Sequence, residues 1–199
     1  MQKNSLKPAL IVGSANPDKV TELNELLANF FVVKPRPGDM PETIEDGKTL
    51  EDNAMKKAIE VYLATYKSAL ADDTGLFVEA LRGAPGVYSA RYAGENVTYQ
   101  DNVDKLLTEL SDLKEVELRK AYFETVIALV DIDKNVIIAS GRVDGHIGFT
   151  CSGTNGFGYD SVFIPTDGDG RTFAEMSPKE KKQYSHRSKA IQDLIKKIS

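Results

Sequence analysis

The chain has one cysteine, Cys151, and two histidines among 199 residues. A single thiol excludes an internal disulfide and a sulfur-rich metal centre. Two imidazoles leave a zinc site short of its usual ligands. No uninterrupted apolar run approaches the roughly 20 residues that a membrane span requires, and the apolar stretch in the opening MQKNSLKPALIVGS is too short for a signal peptide. A cytoplasmic protein with no membrane partner is therefore expected. An excess of positive charge is also missing. The formal net charge is −5 and the pI is near 5.2, which argues against a protein whose task is to grip a nucleic-acid backbone. Lys179, Lys181, Lys182, Arg187 and Lys189 crowd one stretch, but a solvated helix face explains such a run by itself.

What is present suits one globular domain. Apolar residues make up 41% of the chain and charged residues 28%, enough for one substantial core and too ordered a composition for a disordered chain. Ala9 to Val12 reads as a buried strand entering a Gly13-Ser14 turn, and Asn16-Pro17 as the cap and first residue of a helix. Phe31 to Lys34 reads as a strand, Pro35 to Lys48 as a loop, and Thr49 as the cap of a helix reaching about Lys67. Ala69 to Ala71 is expected to be a strand that stops at Asp72-Asp73-Thr74-Gly75, with another strand at Phe77 to Leu81. Arg82 to Gly94 reads as an ordered loop and Thr98 as a helix cap. Ala121 to Ile132 and Val136 to Ile147 form a hairpin pattern around Asp133-Lys134-Asn135. Ser161 to Ile164 is a candidate strand, Ser177-Pro178-Lys179-Glu180 a helix start, and Ser185 the beginning of a final helix. The sum is a mixed α/β fold around one large, partly antiparallel sheet.

Four constellations can carry chemistry. Ser14 to Lys19 joins a strand end to a helix start, where outward N–H groups and the helix dipole attract anions, although ordinary capping explains the same residues. Asp72 and Asp73, side by side, repel unless one meets a hard cation such as Mg²⁺; an Asp-Thr-Gly turn needs no such partner. Gly153 to Asp160 presents Phe157 between glycines, a geometry suited to stacking on a flat base, with Asp160 able to accept from a ring N–H. A tight turn with a buried Phe is the alternative, but it explains Phe157 between two glycines poorly. His186 and Arg187 stand in the first turn of the last helix, where cations are disfavoured and want an electronegative partner, be it a ligand or a carboxylate.

Their set and order resemble the inosine triphosphate pyrophosphatase family. The matching motifs are Ser14-x-Asn16-x-x-Lys19-x-x-Glu22, Glu51-Asp52-Asn53-Ala54-x-x-Lys57-Ala58, Ala71 to Gly75, Gly83 to Arg91, Gly156 to Asp160 and Ser185-His186-Arg187. Asn155, Ser161 and Thr74 depart from the pattern, in which Gly, Pro and Ser are expected. The resemblance implies a single domain over residues 1–199, with two α/β lobes flanking a long central mixed sheet and a cleft between them. It also implies a homodimer that cleaves ITP, dITP and XTP to the monophosphate and pyrophosphate with Mg²⁺. By resemblance, Asp73, Lys57 and Lys19 are the catalytic set, and Ser14, Asn16 and Lys19 hold phosphates. Thr74, Phe157, Gly158, Tyr159, Asp160, Lys181, His186 and Arg187 contact the rest of the substrate. Asp73 and Glu45 bind the metal, with Glu42 as the alternative to Glu45. Two other readings remain: a pyrophosphatase for other modified nucleotides, and a non-catalytic nucleotide sensor or RNA-binding module that would not need Asp73, Lys57 and an acidic metal partner together.

Overall fold

The computed structural model describes residues 7–199. The chain divides into two compact units. The first runs to Asp73 and adds Val126–Ala139 and Ile191–Ser199; the second comprises Thr74–Thr125 and Ser140–Ala190.

The first unit starts with strand β1 (Ala9–Val12), helix α1 (Pro17–Leu27), strand β2 (Val32–Pro35) and helix α2 (Leu50–Thr65). Leu10, Ile11 and Val12 are buried, as suits a strand hydrogen-bonded on both sides. β1 pairs in parallel with β2 (Ala9 opposite Val32) and with β3 (Ala69–Val78; Ile11 opposite Ala69). Asn16 caps α1 through its side-chain oxygen, which accepts from Asp18 N at 2.9 Å. A Cβ at Gly13 would lie 3.1 Å from Val61 and 3.2 Å from Ala71, so glycine lets this turn pass close to α2. Thr49 and Asp52 close a reciprocal capping box at the start of α2. The buried face of α2 repeats every three to four residues through Leu50, Asn53, Ala54, Lys57, Ala58 and Val61. Asn53 and Lys57 are polar members of an otherwise apolar face.

The second unit contains the rest of β3, strand β4 (Pro85–Gly86), helix α3 (Tyr99–Glu109), the start of strand β5 (Lys120–Val130), the end of strand β6 (Val136–Ile147), strand β7 (Phe163–Pro165), helix α4 (Pro178–Tyr184) and the start of helix α5 (His186–Ile198). β4 runs antiparallel to β3 and β7 antiparallel to β6. Its core is built on Leu76, Leu106, Phe123, Val143, Ile147 and Phe163, with Phe123 and Phe163 edge to face at 4.7 Å. A Cβ at Gly141 would overlap His186 O and Ala190 N; the bare backbone of β6 is what lets the first turn of α5 sit there. Among the described residues the strands form one seven-stranded sheet in the order β2-β1-β3-β5-β6-β7, with β4 on β3. The mixed α/β architecture expected from the pattern is present.

One expectation is overturned. The strand does not stop at Asp72-Asp73-Thr74-Gly75: β3 is continuous from Ala69 to Val78, and Glu79–Leu81 is a short 3-10 turn. Thr74-Gly75 looks like a turn locally, but a Cβ at Gly75 would stand 2.7 Å from Gly86 O. The glycine is there for the close approach of β4. Smaller shifts are at element ends. β2 begins at Val32, α2 ends at Thr65 with Tyr66 left-handed at φ 52°, and the strand expected from Ser161 begins at Phe163.

Candidate active site

The first unit gathers the charged residues of the two earliest motifs. Successive side chains on a strand turn to opposite faces, so Asp72 and Asp73 meet different lysines. Asp72 Oδ2 is 3.6 Å from Lys19 Nζ. Asp73 Oδ1 accepts from Lys57 Nζ at 2.9 Å, and the same ammonium donates to Glu45 Oε1 at 2.8 Å. Asp73 Oδ2 accepts from Asn53 Nδ2 at 3.1 Å. The mutual repulsion expected of adjacent acids is thus relieved by strand alternation and by separate cations. Burial opposes the charge on Lys57, but Asp73, Glu45 and Asp72 outweigh it and hold its pKa above the usual lysine value. For Asp73 the balance falls the other way. Burial, joined by the Glu45 charge, raises its pKa against the pull of Lys57 and Lys19.

Glu45, and not the exposed Glu42, is the acid that reaches this group. Glu45 and Asp73 converge on one ammonium, as they would on a hard cation, and hard cations prefer oxygen donors of this kind. The pair therefore fits Mg²⁺, although among the described residues no cluster of three or more His, Cys, Asp or Glu side chains is placed to hold a metal. Ser14 Oγ accepts from Asn16 N at 3.2 Å, so Ser14 and Asn16 order the turn that leads into α1 and Lys19.

The second unit gathers the later motifs. Phe157 is half-buried, and Lys181 Nζ and the Arg187 guanidinium stand 5.2 and 5.8 Å from its ring centre. Tyr99 lies 5.9 Å away at a 38° tilt. A cavity beside this ring is lined by Tyr99, Thr154, Asn155, Gly158 and Asp160, among others. Gly158 has φ 63° and open space where a side chain would be, so the loop is free to present Phe157. Asp160 is buried; its Oδ2 accepts from Phe157 N at 2.9 Å and from Lys181 Nζ at 2.7 Å. It ties the glycine loop to α4. Tyr159 is a core residue whose hydroxyl donates to Ser89 O at 2.9 Å; burial raises its pKa. His186 stacks on Phe123 with ring centres 4.5 Å apart. Arg187 donates from Nη2 to Thr74 Oγ1 at 3.1 Å, and Thr74 Oγ1 shares a 2.7 Å hydrogen bond with Thr125 Oγ1.

Three contributors had no role assigned from sequence. Asn53 was legible by its spacing, four residues before Lys57 and so on the same helix face. Thr125 is one residue of a long β-rich run and gives no local signal. Gly47, whose N–H donates to Asn53 Oδ1 at 2.9 Å, sits in a loop with no periodicity.

Comparison with known proteins shows the family of the chain. The Ham1 family matches residues 10–197. The dITP/XTP pyrophosphatase of Leuconostoc mesenteroides is 45% identical over 195 residues, covering 95% of this chain and 96% of that one. The dITP/XTP pyrophosphatase of Caldanaerobacter subterraneus is 46% identical over 189 residues, 93% of each. Among solved structures, a HAM1 protein from Coxiella burnetii superposes with a TM-score of 0.84 at 36% identity, covering 96% of this chain and 98% of that chain.

Proposed function

The chain belongs to the Ham1 family, and on that premise we propose that it is a nucleoside triphosphate pyrophosphohydrolase that cleaves ITP, dITP and XTP to the monophosphate and pyrophosphate, clearing deaminated purines from the nucleotide pool. The observation that carries the reading is the buried Lys57 ammonium held between Asp73 and Glu45. A non-catalytic binding module has no need to bury Asp73 and Lys57 together, with the half-buried Glu45 on the same ammonium, because that burial is costly.

A triphosphate brings about four negative charges, and displacement at its α-phosphorus requires them to be balanced. Lys19, Lys57 and the N–H groups of the Ser14 to Asn16 turn supply cations and donors for the phosphates. Asp73 takes a proton from the attacking water. The water oxygen bonds to the α-phosphorus, the bond from that phosphorus to the bridging oxygen breaks, and pyrophosphate leaves with the electron pair. Mg²⁺, held by Asp73 and Glu45, would supply Lewis-acid neutralisation of phosphate oxygens.

The base goes to the second unit's residues. Phe157 offers a face for stacking. His186 and Arg187 offer donors for the 6-oxo group of hypoxanthine or xanthine, where adenine would place its amino group against another donor and leave both unpaired. Asp160 and Lys181 brace the stacking loop. Guanine shares the 6-oxo group, and its exclusion rests on the 2-amino edge. The enzyme works in the cytoplasm, as expected from the sequence, and as a homodimer, which the family resemblance alone implies. No helix among the described residues is long and apolar enough to cross a membrane.

The test is a panel of nucleoside triphosphates with Mg²⁺, scoring pyrophosphate against orthophosphate. ITP, dITP and XTP are expected to release pyrophosphate at least about tenfold faster than ATP and GTP, a discrimination of about 1.4 kcal/mol. Orthophosphate as first product overturns the reaction. Preference for a methylated nucleotide overturns the substrate class.

A further inference from the structure

Asn53 is fully buried on the α2 face that carries Lys57, and it makes one hydrogen bond in each direction. Its Nδ2 donates to Asp73 Oδ2 at 3.1 Å; its Oδ1 accepts from the backbone N of Gly47 at 2.9 Å. Because Gly47 N–H can only donate and a charged carboxylate can only accept, the amide has one orientation that satisfies both. Gly47 lies two residues beyond Glu45. A Cβ there would stand 2.5 Å from Asn53 Oδ1 and 2.7 Å from Asp52 Cβ, so the loop approaches α2 closely only because residue 47 is glycine.

We propose that Asn53 is a positioning residue that couples the Glu45 loop to Asp73, fixing the separation of the two carboxylates before any ligand arrives. The proposal rests on the pyrophosphohydrolase reading for its kinetic consequence and on geometry for its structural one. The second oxygen of Asp73 is held by Asn53 while the first faces Lys57, so the carboxylate plane cannot rotate freely. The loop bearing Glu45 is held by a bond to the same side chain. Lys56 adds an outer tie from Nζ to Ile44 O (2.8 Å) and to Asp46 Oδ1 (2.7 Å), but on the exposed side of the loop and without reaching Asp73.

The two bonds can be cut separately. Asn53→Ala removes both. Asn53→Asp keeps an acceptor for Gly47 and replaces the donor to Asp73 by an oxygen. Gly47→Ala disturbs the contact from the loop side and serves if an Asn53 variant does not fold. Amide hydrogen exchange reads the structural part. In Asn53→Ala and Gly47→Ala, exchange at residues 45–48 is expected to rise at least about tenfold while residues 54–62 of α2 keep the parent's protection, and Asn53→Asp is expected to restore slow exchange at 45–48. Unchanged exchange at 45–48, or a rise spread evenly over α2, overturns the proposal. Kinetics read the functional part. All three variants are expected to lose about 10 to 100-fold in kcat on ITP, as outer-shell partners of metal ligands do, with KM within about twofold. A loss confined to KM overturns the positioning role. A parent protein that releases pyrophosphate from no nucleotide defeats the pyrophosphohydrolase reading instead, and the exchange result still decides the coupling.

Discussion

Asp73 shows at the scale of one residue how a reactive carboxylate is held by its neighbours. Its pKa is raised, by burial first and by the Glu45 charge as well, over the opposing pull of Lys57 and Lys19. A carboxyl whose folded pKa lies above its ordinary 3.8 favours the fold when protonated; that contribution is complete below pH 3.8 and disappears as the pH rises through the folded value. At neutral pH the charged form is costly by itself, and the bond to Lys57, whose own pKa Asp73 holds up, offsets that cost. Asp73→Asn is expected to lose about 10²- to 10⁴-fold in pyrophosphate release, the usual contribution of a positioned base, and to melt below the parent at pH 7, because the buried Lys57 ammonium loses one of its two carboxylate partners. Turnover like the parent's would reject Asp73 as the base, and a melting temperature equal to or above the parent's would reject Asp73 as the partner that stabilises buried Lys57. Arg187, Asp160 and Lys181 follow a related rule: each is buried, and each has a charged or polar neighbour that fixes its direction.

Helix starts were the part of the fold most legible in the sequence, because capping is chemistry between near neighbours. Asn16 with Pro17, Thr49 with Asp52, Thr98 before α3 and Ser177 with Glu180 each stand where the order of residue types puts them. β3 was misread for the complementary reason. Gly75 answers to Gly86, eleven residues on, and nothing within Asp72 to Gly75 records that contact. The choice between Glu45 and Glu42 likewise depends on Lys57, twelve residues past Glu45, and Thr125 is significant only because Thr74 lies across from it. α4 offers a test of the legible kind. It has seven residues, and it carries Lys181 to Asp160. Glu180 accepts from Ser177 N at 2.8 Å and from Arg171 Nη2 at 2.8 Å, and these partners, Arg171 first and Ser177 next, hold its pKa down to about 2 from 4.5. A depressed carboxylate stabilises the fold above its unfolded pKa and loses that contribution as the pH falls toward the folded one. The difference in melting temperature between the parent and Glu180→Gln is expected to be constant above about pH 5 and to shrink steadily as pH is lowered from 4.5 toward 2. A difference that grows in acid would show that the pair does not stabilise α4.

Over the whole molecule, the residues proposed for the phosphates and those proposed for the base are sorted by unit. Lys19, Glu45, Lys57 and Asp73 belong to the first; Thr74, Phe157, His186 and Arg187 belong to the second, and Asp73 and Thr74 are consecutive residues of β3. In a pyrophosphohydrolase this sorting assigns the two products to different residues, because pyrophosphate has charge and no ring while inosine monophosphate has a ring and one phosphate. Phe157→Ala is expected to weaken inosine monophosphate binding by about 5 to 150-fold, the 1–3 kcal/mol of one base–aromatic stack, and to leave pyrophosphate binding within about twofold. Lys19→Met should do the reverse: it removes one cation from the phosphate group, preserves most of the side-chain volume, and leaves the Phe157 loop untouched. ITP binding should suffer in both variants. Calorimetric titration of each protein with the two products, in Mg²⁺, measures this directly. If each variant weakens both products alike, the two sets of residues do not divide the substrate between them, and the assignment of base and phosphates to separate units fails.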